Sequence, residues 1–348
     1  MNKLSLFICF IIITLLLSFA GGIIGSYSLE YSASALDCPE NDGLPVIYIE
    51  TNDKKPITSK TEYKAAKMTI ALNDMFADCR NYYTDNVGKI QIRGRGNSTW
   101  TGNNVKHSYR LKLDKKSDLF GFGASKHWIL LANYYDPTYL RNKMAYDLSN
   151  AIGMWSPEST WVVLYFNGSY AGIYQLCESI RVSKERVDIT NWEAIAEDVA
   201  LAIAHEEELS STQTEKLIKG MTENLAWITS GRYDKYRIRD YYDVSGFDTT
   251  SGYLIEYDAF MDSVSQWYTA QGSPCMVKEP EYLKTNATMF NYIKELVQDF
   301  EDAVLSPTFY NSKGKHWSEY VDLTDLVDYW MVQNIMANGE FGIRSNYF

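Results

Sequence analysis

The chain has 348 residues, 46% hydrophobic and 22% charged, which excludes a disordered polypeptide and allows one large two-lobed domain or two ordinary ones. Its formal net charge of −11 argues against nonspecific nucleic-acid binding, which needs a cationic surface.

Lys3 precedes an apolar run, Leu4–Ala20, and Ala33-Ser34-Ala35 forms an A-x-A-like site downstream. Residues 1–35 therefore read as a secretory signal peptide or an uncleaved signal anchor, since the apolar stretch to Ile24 is just long enough to span. The expected location is secreted or cell-surface, with membrane contact only through this segment. Cys9 lies within it. Cys38, Cys79, Cys177 and Cys275 permit two disulfides in any of three pairings, or buried free thiols. No C-x-x-C is present, so a structural zinc is not expected.

Residues 45–180 read mostly as antiparallel β. Pro45–Thr51, Met68–Leu72, Lys89–Arg93, Tyr109–Leu113 and His127–Ala132 are short runs bounded by turn residues. Thr160–Phe166 and Tyr170–Cys177 flank Asn167-Gly168, the signature of a type I′ hairpin. Leu140, Met144, Ala145, Leu148 and Ile152 fall at helical spacing, and Gly153 ends that helix. Residues 191–230 look helical and acidic. Their His205-Glu206-Glu207-Glu208 is not H-E-x-x-H, so no zinc protease is implied. Residues 231–250 read as a loop. Gly252–Asp258 and Cys275–Glu279 read as strands, and Asn286–Val304 as a helix. Asp322 is placed to cap a last helix, Leu323–Ala337. Strands first and helices after is an α+β order.

The segment richest in chemistry is Ile90–Asp114, IQIRGRGNSTWTGNNVKHSYRLKLD. Glycines in a turn let N–H groups approach an anion, and arginines fork onto phosphate oxygens. Arg93, Arg95, Lys106, Arg110, Lys112, Lys115 and Lys116 form a basic cluster against the acidic background, suited to a phosphate-rich ligand. The bland alternative is an ordinary hairpin with solvated arginines, because GRG alone is neither a P-loop nor G-x-G-x-x-G.

Taken together, IRGRGNSTW (92–100), KHSYRLKLDKK (106–116), residues 127–153, VVLYFNGSYAGIYQLCESI (162–180), GYLIEYD (252–258) and VKEPE (277–281) resemble the CotH kinase family, secreted or spore-surface atypical protein kinases. The resemblance implies an atypical protein-kinase-like two-lobe α+β fold. It implies ATP with Mg²⁺ as cofactors and phosphate transfer to Ser/Thr hydroxyls of extracellular protein partners. It places an N-lobe at about 45–258, an unmatched segment at 190–250, and a partial C-lobe at 259–348. Arg95, Gly96, Asn97, Ser98 and Thr99 would form the turn over the nucleotide. Lys112 would pair with phosphates, with Lys106 as its rival. Arg141, Glu178 and Glu256 would line the nucleotide site, Glu178 pairing with the lysine or a metal. Glu340 would be the catalytic base and Asn346 a Mg²⁺ ligand. Glu340 stands where the family has Asp, and the family pattern continues into a Trp-Asp-Phe-Asp-like segment that this sequence does not contain. The alternative function is a catalytically impaired, pseudokinase-like surface binding protein or adhesin.

Overall fold

The structure is a computed structural model describing residues 43–100, 104–342 and 344–348. The signal segment, its A-x-A site, Cys9 and Cys38 lie outside the described residues. No helix among the described residues is long and apolar enough to cross a membrane.

The first half of the chain builds seven strands: β1 (Val46–Thr51), β2 (Lys64–Ala71), β3 (Gly88–Arg95), β4 (Ser108–Asp118), β5 (Ala124–Leu131), β6 (Ser159–Phe166) and β7 (Ser169–Glu178). The antiparallel β expected for this half is present, but the sheet is closed rather than simply a lobe of a two-lobe fold. The strands close into a barrel in the order β1-β2-β3-β4-β5-β7-β6, sealed by parallel pairing of β1 with β6. Period-2 alternation aims one face of each strand into the barrel. Ile90 and Ile92 of β3, Leu111 and Leu113 of β4, Trp128 and Leu130 of β5, and Leu176 of β7 are all buried in that core. The alternate residues, Arg93, Arg95, Arg110, Lys112, His127, Ile129 and Cys177, point outward.

Between β6 and β7, Asn167 and Gly168 take φ of 52° and 82°, the type I′ geometry that their sequence announces. The turn does a second job. Asn167 Oδ1 accepts the Thr51 N–H at 2.8 Å, tying the end of β1 to the hairpin across the closing seam.

A short helix, α1 (Tyr82–Asp85), precedes β3, and α2 (Arg141–Ala151) lies outside the barrel. Tyr146 of α2 packs on Ile129, Leu131 and Cys177, covering the outer face of β5 and β7. That leaves the outer face of β3 and β4 free to carry a site.

The second unit contains α3 (Trp192–Glu206), α4 (Ser211–Glu223), α5 (Trp227–Ser230), a small hairpin of β8 (Arg232–Tyr233) and β9 (Tyr236–Arg237), β10 (Leu254–Tyr257), β11 (Ser265–Tyr268), β12 (Pro274–Glu279), α6 (Ala287–Leu305), α7 (Leu323–Ile335) and β13 (Asn346–Tyr347). Its small sheet runs β11-β12-β10-β13. Trp192, Val199, Met221, Trp227, Ile255, Val277 and Ile293 share one core. Residues 192–238 thus pack with the small sheet and α6. The two cores divide between β7 and α3, not near residue 258, and the unmatched 190–250 segment belongs to the second unit. Asp322 caps α7 by accepting the Thr324 and Asp325 N–H groups, as its position suggests.

The cysteine expectation is narrowed. Cys79, Cys177 and Cys275 are free thiols, the latter two buried, so none of the three pairs with another.

Replacing Asn167 by Ala removes the seam hydrogen bond and puts a non-glycine Cβ residue of poorer left-handed propensity at φ 52°. The expected loss is about 2 kcal/mol of unfolding free energy in urea titration, with Asn167→Gly losing only about 1. Equal losses in both variants would show that backbone strain plays no part.

Candidate functional site

The turn after β3 is held by its own side chains. Gly94 occupies a core-facing position where a Cβ would lie 2.4 Å from Trp100 Cζ2, so the ring of Trp100 folds under the strand end. Trp100 stacks on His107 with centroids 4.2 Å apart, and its Nε1 donates to Ser108 O at 3.2 Å. Gly96 takes φ 85°, and Ser98–Trp100 make one 3-10 turn. Asn97 Oδ1 accepts Lys60 Nζ at 2.8 Å, and Ser98 O accepts the Tyr135 hydroxyl at 2.9 Å. The turn is therefore a pinned edge, and Thr99 Oγ1 is buried there without a hydrogen-bond partner.

Beside it, the β3–β4 register sets Arg93 opposite Arg110 and Arg95 opposite Ser108. Three guanidiniums thus share one patch of the outer face. Arg93 is satisfied in part: it donates to Lys60 O and lies over the Tyr63 ring, 5.0 Å from its centroid. Arg95 and Arg110 are half-buried, and among the described residues neither has an ion-pair or hydrogen-bond partner. The Nε atoms of both are buried and unsatisfied. Burial first, then Arg95 and Arg93, and then Arg181 depress the Arg110 guanidinium below its ordinary value. A desolvated cation repelled by its neighbours is costly unless an anion joins it.

The small sheet faces this patch. Burial and Glu256 push the Tyr347 phenol upward while Arg95 and Arg110 pull it back, so Tyr347 sits between the arginines and Glu256. Glu256 is buried and paired with Lys278 at 3.1 Å, and Lys278 also reaches Asp262 at 3.0 Å. The two units are clamped nearby. Arg181 Nε meets Glu279 Oε1 at 3.0 Å, and the Val182 N–H donates to Glu279 Oε2 at 2.7 Å. Burial pushes Glu279 up to about 7 against the pull of Arg181.

The other sequence-derived candidates fall in different places. Lys112 is exposed at the rim, one residue pair beyond Arg110 and opposite His127. Lys106 is turned away into the barrel mouth, over the rings of Tyr139 and Tyr174 at 4.4 and 4.6 Å, and burial lowers it to about 8. Arg110, counted in the basic cluster of the sequence but not singled out there, is the residue of β4 that joins the patch. Tyr109-Arg110-Leu111-Lys112-Leu113 puts residues 110 and 112 on one face, and counting the hairpin register back from the turn would have singled out Arg110.

Glu178 does not pair with a lysine. It is buried against Arg186, which lies over Trp128, and it accepts the Glu158 N–H at 3.0 Å. Arg141 opens α2, and its N–H donates to Asp136 at 2.9 Å, which supplies the cap that Leu140 lacks. Glu340 is exposed and bridged to Arg344 at 3.0 Å. Asn346 is buried in a structural role. Its Oδ1 accepts the Gly342 N–H at 3.2 Å and the Tyr329 hydroxyl, and its Nδ2 donates to Arg344 O at 3.0 Å. That leaves no free oxygen lone pair directed at a metal. Asp258 accepts N–H groups from Phe260 and Ser345. Among the described residues no group of three or more His, Cys, Asp or Glu is placed to hold a metal ion.

The donor set therefore fits an anion with several oxygens and, as arranged, does not fit Mg²⁺. Replacing Arg110 by Met removes a repelled, partnerless cation. The thermal midpoint should rise while phosphate-ligand affinity falls at least tenfold, the trade expected when a site stores unfavourable charge. A lower midpoint would mean Arg110 is structurally satisfied. A second outcome concerns the clamp. Stability tied to Glu279 is full below its unfolded value of 4.5 and is lost as pH rises through about 7. Glu279→Gln should flatten the decline in urea-denaturation stability between pH 5 and 8; an unchanged slope would contradict this.

No curated protein matches the chain. Residues 90–226, from the middle of β3 to the start of α5, match the family model described as CotH kinase protein. That span, which holds the pinned turn, the arginine patch and the barrel's later strands, is similar to the CotH kinase family.

Proposed function

We propose that this protein is an atypical protein kinase that binds ATP by its phosphates at Arg95 and Arg110 and phosphorylates Ser or Thr hydroxyls of proteins outside the cell. The observation carrying this is the pair of half-buried guanidiniums without partners, beside a rigid glycine-bearing turn. The match of residues 90–226 to the CotH kinase family model supports kinase-type chemistry. The location outside the cell rests on the N-terminal sequence alone.

Bound ATP would supply the phosphoryl group. The chain's own residues do the rest. Arg95 and Arg110 neutralise phosphate charge in a setting where their full donor sets are unspent. Thr99 Oγ1 offers a further donor at the turn. Tyr347 and Glu256 form the opposite wall, and the Arg181–Glu279 clamp fixes the spacing between the two walls. Lys112 at the rim adds long-range attraction rather than a buried contact. Glu340 is the candidate acceptor of the hydroxyl proton. The carboxylates near the site, Glu256 and Asp258, are engaged by Lys278 and by backbone N–H groups.

A second reading is favoured by a specific observation. Glu340 is held by Arg344 and Asn346 is closed off by Tyr329 and Gly342, so the catalytic end of the site is engaged with itself. A protein that binds nucleotide and a partner without transfer would look the same. One experiment separates the two. Wild type and Glu340→Gln are incubated with γ-labelled ATP and a Ser/Thr-rich acceptor, while thermal shift reports nucleotide binding. The kinase reading expects label transfer that Glu340→Gln abolishes without losing the shift. Shift without transfer in wild type supports the binding reading. Absence of any shift at millimolar ATP, with or without Mg²⁺, contradicts both.

A further inference from the structure

The outer face of the barrel carries one more group that the proposed function does not use. His127 lies on β5 opposite Lys112 of β4 and diagonal to Arg110. Its Nδ1 is buried and has no hydrogen-bond partner. The charged groups that act on the ring are Arg181 from the segment after β7, Lys112 and Arg110 from β4, and Lys126 from its own strand. All four are cations, and no carboxylate is among them. Arg181 in turn is paired with Glu279, which also accepts the Val182 N–H. Burial foremost, then these cations, drive the imidazole down to about 3, so the free protein holds it neutral.

The cause of that neutrality is also what an anion would reverse. A phosphate drawn to Arg110 brings negative charge to a ring whose leading charged influences are Arg181, Lys112, Arg110 and Lys126. It cancels the repulsion and gives the ring an acceptor. We propose that His127 is a positioning residue of the anion site: a bound phosphate group contacts it together with Arg110, and one proton is taken up from solvent onto the imidazole as the anion arrives. This rests on the assignment of Arg95 and Arg110 as the phosphate site. The geometry behind it is the shared face, the shared cations and the orphaned Nδ1.

Linkage fixes the sign. A group that gains a proton on binding makes binding tighter as pH falls below its bound-state value. With that value near the ordinary histidine range, about 6.5, affinity should rise about tenfold between pH 7 and 5.5 beyond any change in the ligand's own charge. The ligand's titration cancels when wild type is compared with His127→Gln.

The test uses inorganic pyrophosphate and the wild-type chain, which has four histidines. Histidine C2–H signals are followed by NMR from pH 5 to 8, with and without pyrophosphate, and assigned with His107→Gln, His205→Gln and His316→Gln, which leaves His127 by difference. The expected result is a His127 signal that does not titrate in the free protein and titrates near pH 6.5 in the complex. Calorimetry in buffers of different ionisation enthalpy should report proton uptake on binding at pH 6, lost in His127→Gln. Pyrophosphate binding with a His127 signal that stays neutral, or a wild-type-to-variant affinity ratio that is flat with pH, would overturn the role of His127 while leaving the phosphate site intact. No pyrophosphate binding at any pH would overturn the phosphate site itself, and this proposal with it. The NMR arm needs no substitution at His127, so a variant that failed to fold would not shield the idea.

Discussion

Mutual repulsion among guanidiniums on one barrel face is the constraint around which this molecule is organised. Arg93, Arg95 and Arg110 are brought together by strand register, and a seven-strand barrel is stiff enough to keep them there. Arg93 is engaged in part by Lys60 O and Tyr63, while among the described residues Arg95 and Arg110 have no hydrogen-bond or ion-pair partner. The fold supplies the stability that this arrangement consumes, through a core of Ile, Leu, Val and Trp side chains and a closed sheet without free edges between β1 and β6. A packed barrel cannot relax by letting one strand drift, so the register keeps the three cations together.

The second unit gives that patch a facing wall. Its small sheet brings Tyr347 and Glu256 opposite the arginines, and Arg181 reaches across to Glu279 and Glu193. Arg181 is thus shared between two tasks. It holds the units in register and adds positive potential to Arg110 and His127. Charge on this face is connected, so a change at one member alters the titration of the others.

Much of the fold was legible in the sequence because it is written in local chemistry. All seven barrel strands have a matching run in the sequence, with β2 and β4 longer than the runs that mark them, Asn167-Gly168 named its turn, and Asp322 named its helix start. What stayed hidden was long-range. Nothing local tells β1 to pair with β6 in parallel, so barrel closure was missed. Helices 192–223 carry an apolar face that could serve either unit, and only packing with Trp267 and Val277 decides. At the site, the glycine-bearing turn and its arginines were visible in the sequence, and the structure places Arg95 at the end of β3 beside that turn. Lysine was favoured over arginine for the phosphates because kinase precedent is a lysine. The structure puts Lys112 at the rim, Lys106 in the barrel mouth and Arg110 in the patch. Glu178 and Asn346 misled for a common reason: a buried polar residue in a suggestive segment is more often satisfied by a neighbour, here Arg186 and Tyr329, than left for a ligand.

The account turns on where phosphate oxygens settle, and a crystal of the protein soaked with a hydrolysis-resistant ATP analogue measures that directly. The expected electron density has phosphate oxygens within hydrogen-bond distance of both Arg95 and Arg110, beneath the Gly96–Thr99 turn. Phosphates bound at Lys106 in the barrel mouth, or an arginine patch bare at saturating analogue, would contradict it.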